Sequence, residues 1–134
     1  MKHITNDKLE IFPWEAGKEY TVKESFTIEW RGKKLTITKG FKHDRYTVAP
    51  DLPDRKPAIS HDFAYIYQRW DDGTDITRFE ADCMFRDLMR QSEDRTTRSF
   101  ANLYFVGVRC CGWWGWSRNN LKNVSQSSIK KDLL

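Results

Sequence analysis

Four side chains between residues 58 and 89 have the types and spacing that could do chemistry: His61, Asp62, Tyr65 and Asp82. On a helix, residues four apart share a face, so His61 and Tyr65 are neighbours and Asp62 lies about 100° round the axis. A second helix packed antiparallel on the first would bring Asp82 to the His61 face. A histidine held by a carboxylate through one ring nitrogen keeps the other nitrogen free to take a proton from water. A further carboxylate facing outward can bind a hard cation, which would polarise a carbonyl or phosphoryl oxygen. On this reading His61 is the base, Asp82 its orienter, Tyr65 a supporting hydroxyl and Asp62 a metal ligand. The implied cofactor is a divalent cation such as calcium.

Each residue also has a plainer use. His61 could close the first helical turn or bond a loop carbonyl. Asp62 falls in that first turn, where the helix dipole favours a carboxylate without any catalysis. Asp82 stands four residues after Arg78 and four before Arg86, so surface ion pairs would account for it. Tyr65 could be core. A second pair, His43 and Asp44, lies in a proline-rich loop. There Asp44 is either another metal ligand converging on the helix-borne site or part of a solvated turn tied to Arg45 or Lys42.

The elements that must position these groups follow from patterning. Alternation of apolar and polar residues over Val22–Trp30 and Lys34–Thr38, separated by Arg31-Gly32-Lys33, predicts a β-hairpin with one apolar face. Before it, Met1–Lys18 reads as a lead-in in which Pro13 and Gly17 break any regular element. Gly40–Pro57 contains three prolines and reads as an ordered loop. A first helix is expected over Ala58–Trp70, with Pro57 at its start and the DDGTD run as its stop. Thr77 followed by Glu80 makes a capping-box pattern for a second helix ending near Arg90. A third helix is expected from Thr96 or Thr97 to Cys111. Leu103–Val108 is apolar on nearly every side, which predicts that this helix is the most buried. Gly112 reads as its stop, Cys110–Cys111 as buried packing, and the Trp113–Trp116 cluster as core or a partner-binding patch. The expected fold is α+β: an N-terminal hairpin or small antiparallel sheet packed on about three helices. It forms one domain over residues 1–116, with a polar, basic tail over 117–134.

At 134 residues the chain can bury a single sizeable core. Its six Trp, eight Phe and five Tyr among 39% hydrophobic residues require that core to be largely aromatic. The formal charge of +4 is mild, and the basic residues form no dense stripe, which makes nucleic acid an unlikely partner. Three cysteines, two of them adjacent, suit neither a secreted disulfide framework nor a zinc site. The first residues lack the apolar stretch of a signal peptide, and no run approaches the ~18 apolar residues of a transmembrane helix.

The motifs GFKHDRYTVAP, AISHDFAYIYQRW, TRFEADCMFRDLM and FANLYFVGVRCCGWWGW, in that order, resemble a small family from phages and prophages that is catalogued as a domain of unknown function. That family shows a Gly-Phe-x-x-Asp loop ending in Val-Pro, a His-Asp-x-x-Tyr helix, an Arg-x-x-Ala-Asp-x-x-Phe helix and a Val-Arg-x-x-Gly end. The resemblance spans about Leu35–Trp116 and implies a phage or prophage origin, with the protein in the cytoplasm of the infected host cell or associated with the virion. This chain departs from the pattern in the loop, where His43–Asp44 replaces Thr-Asp and Thr47-Val48-Ala49-Pro50 carries one residue more than Ser-Val-Pro. More distantly, the His-Asp-x-x-Tyr helix is similar to that of phospholipases of the A-two type. That similarity implies His61 as base, Asp62 as calcium ligand, Asp82 as orienter and Tyr65 as support. The glycine-rich calcium loop of those enzymes has no counterpart here. Two functions follow as expectations. One is a hydrolase acting on a lipid or another ester, with or without a metal. The other is a non-enzymatic accessory protein that binds a host or virion protein through exposed aromatic residues.

Overall fold

A computed structural model describes residues 11–13, 20–43 and 53–132 of the chain, with side chains over 21–42 and 53–124. The strands are β1 (Ile11–Pro13), β2 (Tyr20–Val22), β3 (Phe26–Trp30), β4 (Lys33–Ile37) and β5 (Lys42–His43). The helices are α1 (Lys56–Tyr67), α2 (Arg78–Arg90), α3 (Arg95–Ser99), α4 (Ala101–Cys111) and α5 (Trp113–Asp132). The fold is α+β, as the patterning predicts, with the helices carrying most of the described residues.

Strands β3 and β4 form the expected hairpin, with Trp30 opposite Lys33 across a two-residue turn. Both turn residues have positive φ, Arg31 at 48° and Gly32 at 78°, which is what a type I′ hairpin turn requires. Phe26, Ile28, Trp30, Leu35 and Ile37 are buried on one face of this hairpin. A second sheet, in the order β1-β2-β5, is antiparallel throughout. The lead-in is therefore not wholly irregular. Ile11–Pro13 pairs with Tyr20–Val22 at the edge of the sheet, a place where a proline costs no ladder bond.

Helix α1 starts close to where Pro57 predicts, but it ends earlier than expected. Gln68 adopts a left-handed conformation (φ 58°) and caps the helix through its N–H to the Ala64 carbonyl. Trp70 is thereby released from the helix and stacks on Trp30 in the core, with ring centroids 5.9 Å apart. The Trp30 indole in turn donates to Asp87 Oδ2 at 2.8 Å. The following turn is fastened to the hairpin by Asp71, which accepts from the Thr36 N–H at 2.8 Å, and by Asp72, which pairs with Lys33 at 2.8 Å.

Helix α2 opens with the full capping box. The Glu80 N–H donates to the Thr77 hydroxyl, and the Thr77 N–H donates to the Glu80 carboxylate. Thr77→Ala should cost about 1 kcal/mol of stability, read as a lower urea midpoint with an unchanged slope. The His61 ring of α1 lies against Phe85 of α2, while Tyr65, a turn later, meets Asp82, about a turn earlier. The two helices therefore run antiparallel, the arrangement the site requires.

The C-terminal half differs most from expectation. The third helix divides at Phe100 into α3 and α4, and Asp94 caps α3 through the Thr97 N–H. Helix α4 is not the most buried: Ala101 is its one buried residue, whereas Leu103 and Val106 are exposed. Cys110 and Cys111 are exposed too, not buried packing. A helix apolar on two sides can bury only one of them, and α4 turns Phe105 and Val108 inward. Gly112 ends α4, yet α5 begins at the next residue and runs across the boundary expected at residue 116. Trp116 packs against the core, while Trp113 and Trp114 do not.

Candidate functional site

The antiparallel pairing of α1 and α2 brings three of the expected side chains together. His61 and Tyr65 point from successive turns of α1 at Asp82 on α2. His61 Nε2 lies 2.8 Å from Asp82 Oδ1, and the Tyr65 hydroxyl donates to the same oxygen at 2.6 Å. All three are buried, His61 to 5% exposure and Asp82 to 0%. The His61 ring is clamped between the rings of Tyr65 and Phe85, with centroids 4.3 Å and 4.7 Å away.

Asp82 has further partners. Arg109 of α4 donates to its Oδ2 at 2.9 Å, and Arg78 Nε stands 3.8 Å from that oxygen. Arg78 also donates to the carbonyls of Val108 and Arg109, tying the start of α2 to the end of α4. The plainer expectation, surface ion pairs with Arg78 and Arg86, does not describe Asp82, which is fully buried. Arg78 is its ion-pair neighbour, but Arg86 pairs with Asp87 instead.

Burial pushes the Asp82 carboxyl up. The bond and charge of His61, followed by the bonds from Tyr65 and Arg109, outweigh that and hold it below the ordinary carboxylate range. Asp82 is therefore an anion that accepts from His61 Nε2–H. Burial, reinforced by the facing Asp82 carboxylate, pushes the Tyr65 phenol well above its usual value. Tyr65 is accordingly a donor and not an anion.

The directions of these two shifts set a pH dependence. A carboxylate whose pKa is lower in the fold adds stability above its unfolded value of about 4, and that stability is lost as the pH falls through the folded value. A phenol whose pKa is higher in the fold adds stability below its unfolded value of about 10, lost as the pH rises through the folded value. The Asp82 and Tyr65 contributions should therefore both be present between those limits. Asp72 and Asp94 are lowered as well, each chiefly by a side-chain hydrogen bond. The Asp82 share is the difference between the wild-type and Asp82→Asn urea midpoints across acid pH, and that difference should shrink as the pH falls below about 4.

Asp62, the expected metal ligand, lies on α1 beside His61 and is partly buried. Asp44 lies outside the described residues. Among the described residues no group of three or more His, Cys, Asp or Glu side chains is placed to hold a metal ion. The described donors do not by themselves make up a cation site, and no step below is routed through a metal.

Two residues beside the cluster had no place in the site from sequence: Arg109, and Gly112, which reads there only as a helix stop. A Cβ on Gly112 would collide with the Tyr65 hydroxyl and come within 2.5 Å of the Val108 carbonyl oxygen. The glycine is thus needed for close approach as much as for ending a helix. The ring of Trp116 packs edge-on against Tyr65 at 5.1 Å. Three of the motifs quoted above now converge. His61 and Tyr65, then Arg78, Ala81, Asp82 and Phe85, then Arg109 and Gly112 all meet at or beside one buried carboxylate. The signal for Arg109 lay in the Val-Arg-x-x-Gly spacing, but nothing local pointed to its partner.

Comparison with known proteins returns no matching family model, no similar curated protein and no matching solved structure. No described helix is long and apolar enough to cross a membrane.

Proposed function

We propose that the chain is a phage-encoded protein whose His61–Asp82 pair acts as the proton-handling dyad of a hydrolase for esters, with lipid esters the nearest substrate class. The observation that carries this reading is the 2.8 Å contact from His61 Nε2 to an ionised Asp82 that Tyr65 also grips. In this role His61 Nδ1 takes a proton from the water that attacks the ester carbonyl. Asp82 keeps the ring in the right tautomer and faces the imidazolium that forms. His61 then returns the proton to the departing alcohol. Tyr65 and Arg109 hold the Asp82 carboxylate in place and act as positioning residues.

The test is hydrolysis of short-chain aryl esters and of phospholipid by the whole chain. His61→Asn should lower kcat/KM by about 100-fold or more, with the circular dichroism unchanged. Wild-type protein that hydrolyses neither substrate class, or a His61→Asn variant as active as wild type, would refute the reading. A melting temperature that rises with calcium in wild type but not in Asp62→Asn would add the metal-assisted form of the mechanism.

A second reading has its own support. Trp113 and Trp114 are 55% and 65% exposed, as an accessory protein that binds a host or virion protein through aromatic residues would need. Capture of one defined partner that depends on Trp113 and Trp114, but not on His61, would favour it.

A further inference from the structure

The apolar surface that α4 and α5 leave uncovered is ordered. Within α5, at about 100° per residue, Trp113, Trp114, Leu121 and Val124 fall within an arc of about 100°. Within α4, Leu103, Val106 and the exposed Cys110 fall within about 60°. The six apolar side chains other than the cysteine are all exposed. The opposite sides of the two helices carry Phe105, Val108 and Trp116, which pack inward. Polar ties fix that orientation, since the Gln68 amide donates to the Trp116 carbonyl at 2.9 Å and the Asn123 amide to the Ile66 carbonyl at 3.0 Å.

Charge identifies the occupant. The sequence has no acidic residue between Asp94 and Asp132, whereas Arg95, Arg98, Arg109, Arg118, Lys122, Lys130 and Lys131 fall in that interval. Arg118 and Lys122 come next to the stripe, on one flank. A second copy laid on the stripe would bring the same cations together, which is unfavourable. A nucleic acid would find aliphatic side chains and few arginines where it needs hydrogen-bond donors. An outward stripe of aliphatic and Trp side chains, flanked by cations and free of acids, matches a helix lying in the plane of an anionic lipid surface. We propose that α4 and α5 dock the protein, peripherally, on an anionic bilayer. The proposal stands on this stripe and its charge, independently of the His61 chemistry.

The experiment is sedimentation of the full chain with vesicles of phosphatidylcholine alone or of phosphatidylcholine mixed with phosphatidylglycerol. Binding is expected only to the mixed vesicles, and it should weaken as salt rises. Arg118→Gln with Lys122→Gln should reduce it roughly thirtyfold at low salt. Trp113→Ser with Trp114→Ser, and separately Leu121→Ser with Val124→Ser, should each reduce it by about tenfold or more without shifting the melting temperature. His61→Asn should bind as wild type does, which separates this test from that of the dyad. Several results would overturn the proposal. These are no binding, equal binding to both vesicles, binding that survives both apolar double variants, or a dimer in velocity sedimentation that the Trp double variant dissolves. Binding of DNA lost in the Trp double variant, with vesicle binding absent, would overturn it as well.

Discussion

Replacing Asp82 with alanine should destabilise the fold by about 3–5 kcal/mol. The carboxylate is fully buried and receives His61, Tyr65 and Arg109 directly, with Arg78 close behind. Its removal leaves two buried donors without an acceptor and takes the counter-charge from two guanidinium groups. A domain of this size holds only about 5–15 kcal/mol in all, so the variant should sit near the edge of unfolding. Asp82→Asn should cost less, because an amide oxygen can still accept from His61 and Tyr65 while its NH2 faces Arg109. Urea denaturation of the three proteins reads the series directly. A cost under about 1 kcal/mol for alanine would match an exposed ion pair and would contradict a buried knot.

Gly112→Ala should be the second most damaging of these changes, at about 1–3 kcal/mol. The φ of Gly112 is −78°, an ordinary helical value, so propensity alone favours alanine by up to about 1 kcal/mol. The collision with the Tyr65 hydroxyl and the Val108 carbonyl opposes that gain. The two effects separate in a double-mutant cycle. Tyr65→Phe removes the colliding oxygen along with its bond to Asp82, so the alanine should cost measurably less in that background. Additive costs would show that the close approach to Tyr65 is not what requires the glycine.

Much of this architecture was legible locally. The β3–β4 hairpin followed from alternation around Arg31-Gly32, and the α2 start from Thr77 and Glu80. The His61–Tyr65–Asp82 contact followed from helical spacing and one assumption, that α1 and α2 pack antiparallel. What could not be read depended on distant partners. Leu103–Val108 is apolar on both sides, so periodicity could not say which side faces the core; the choice was made by Arg78 and Asp82 gripping the end of α4. Gly112 carried the signature of a helix stop, but its main constraint is an oxygen on α1. Gln68 gave no sign of its left-handed conformation, which is fixed by its ties to Tyr65 and Trp116. Burial of Cys110 and Cys111 was expected from residue type alone, and residue type does not say which face a helix turns inward.

Three of the motifs singled out in the sequence also gain a physical account. Arg78, Asp82 and Arg109 form a charged seam between α2 and α4, and His61 and Tyr65 add α1 to it. Such a cluster both holds three helices in register and orients an imidazole, so the structural use of Asp82 and its proposed catalytic use share one geometry. The exposed stripe on α4 and α5 is a separate feature, set by the opposite face of the same helices.

In the proposed dyad Asp82 holds His61 by a proton on Nε2 and leaves Nδ1 to take the proton from water. Long-range proton–nitrogen NMR of the histidine side chains, in wild type and in Asp82→Asn, tests this directly. The expected result is His61 with a proton held on Nε2 in wild type and a proton shared between the two ring nitrogens in the variant. An Nδ1–H tautomer in wild type, or a tautomer unchanged by the loss of the carboxylate, would contradict the claim that Asp82 sets His61 up as a base.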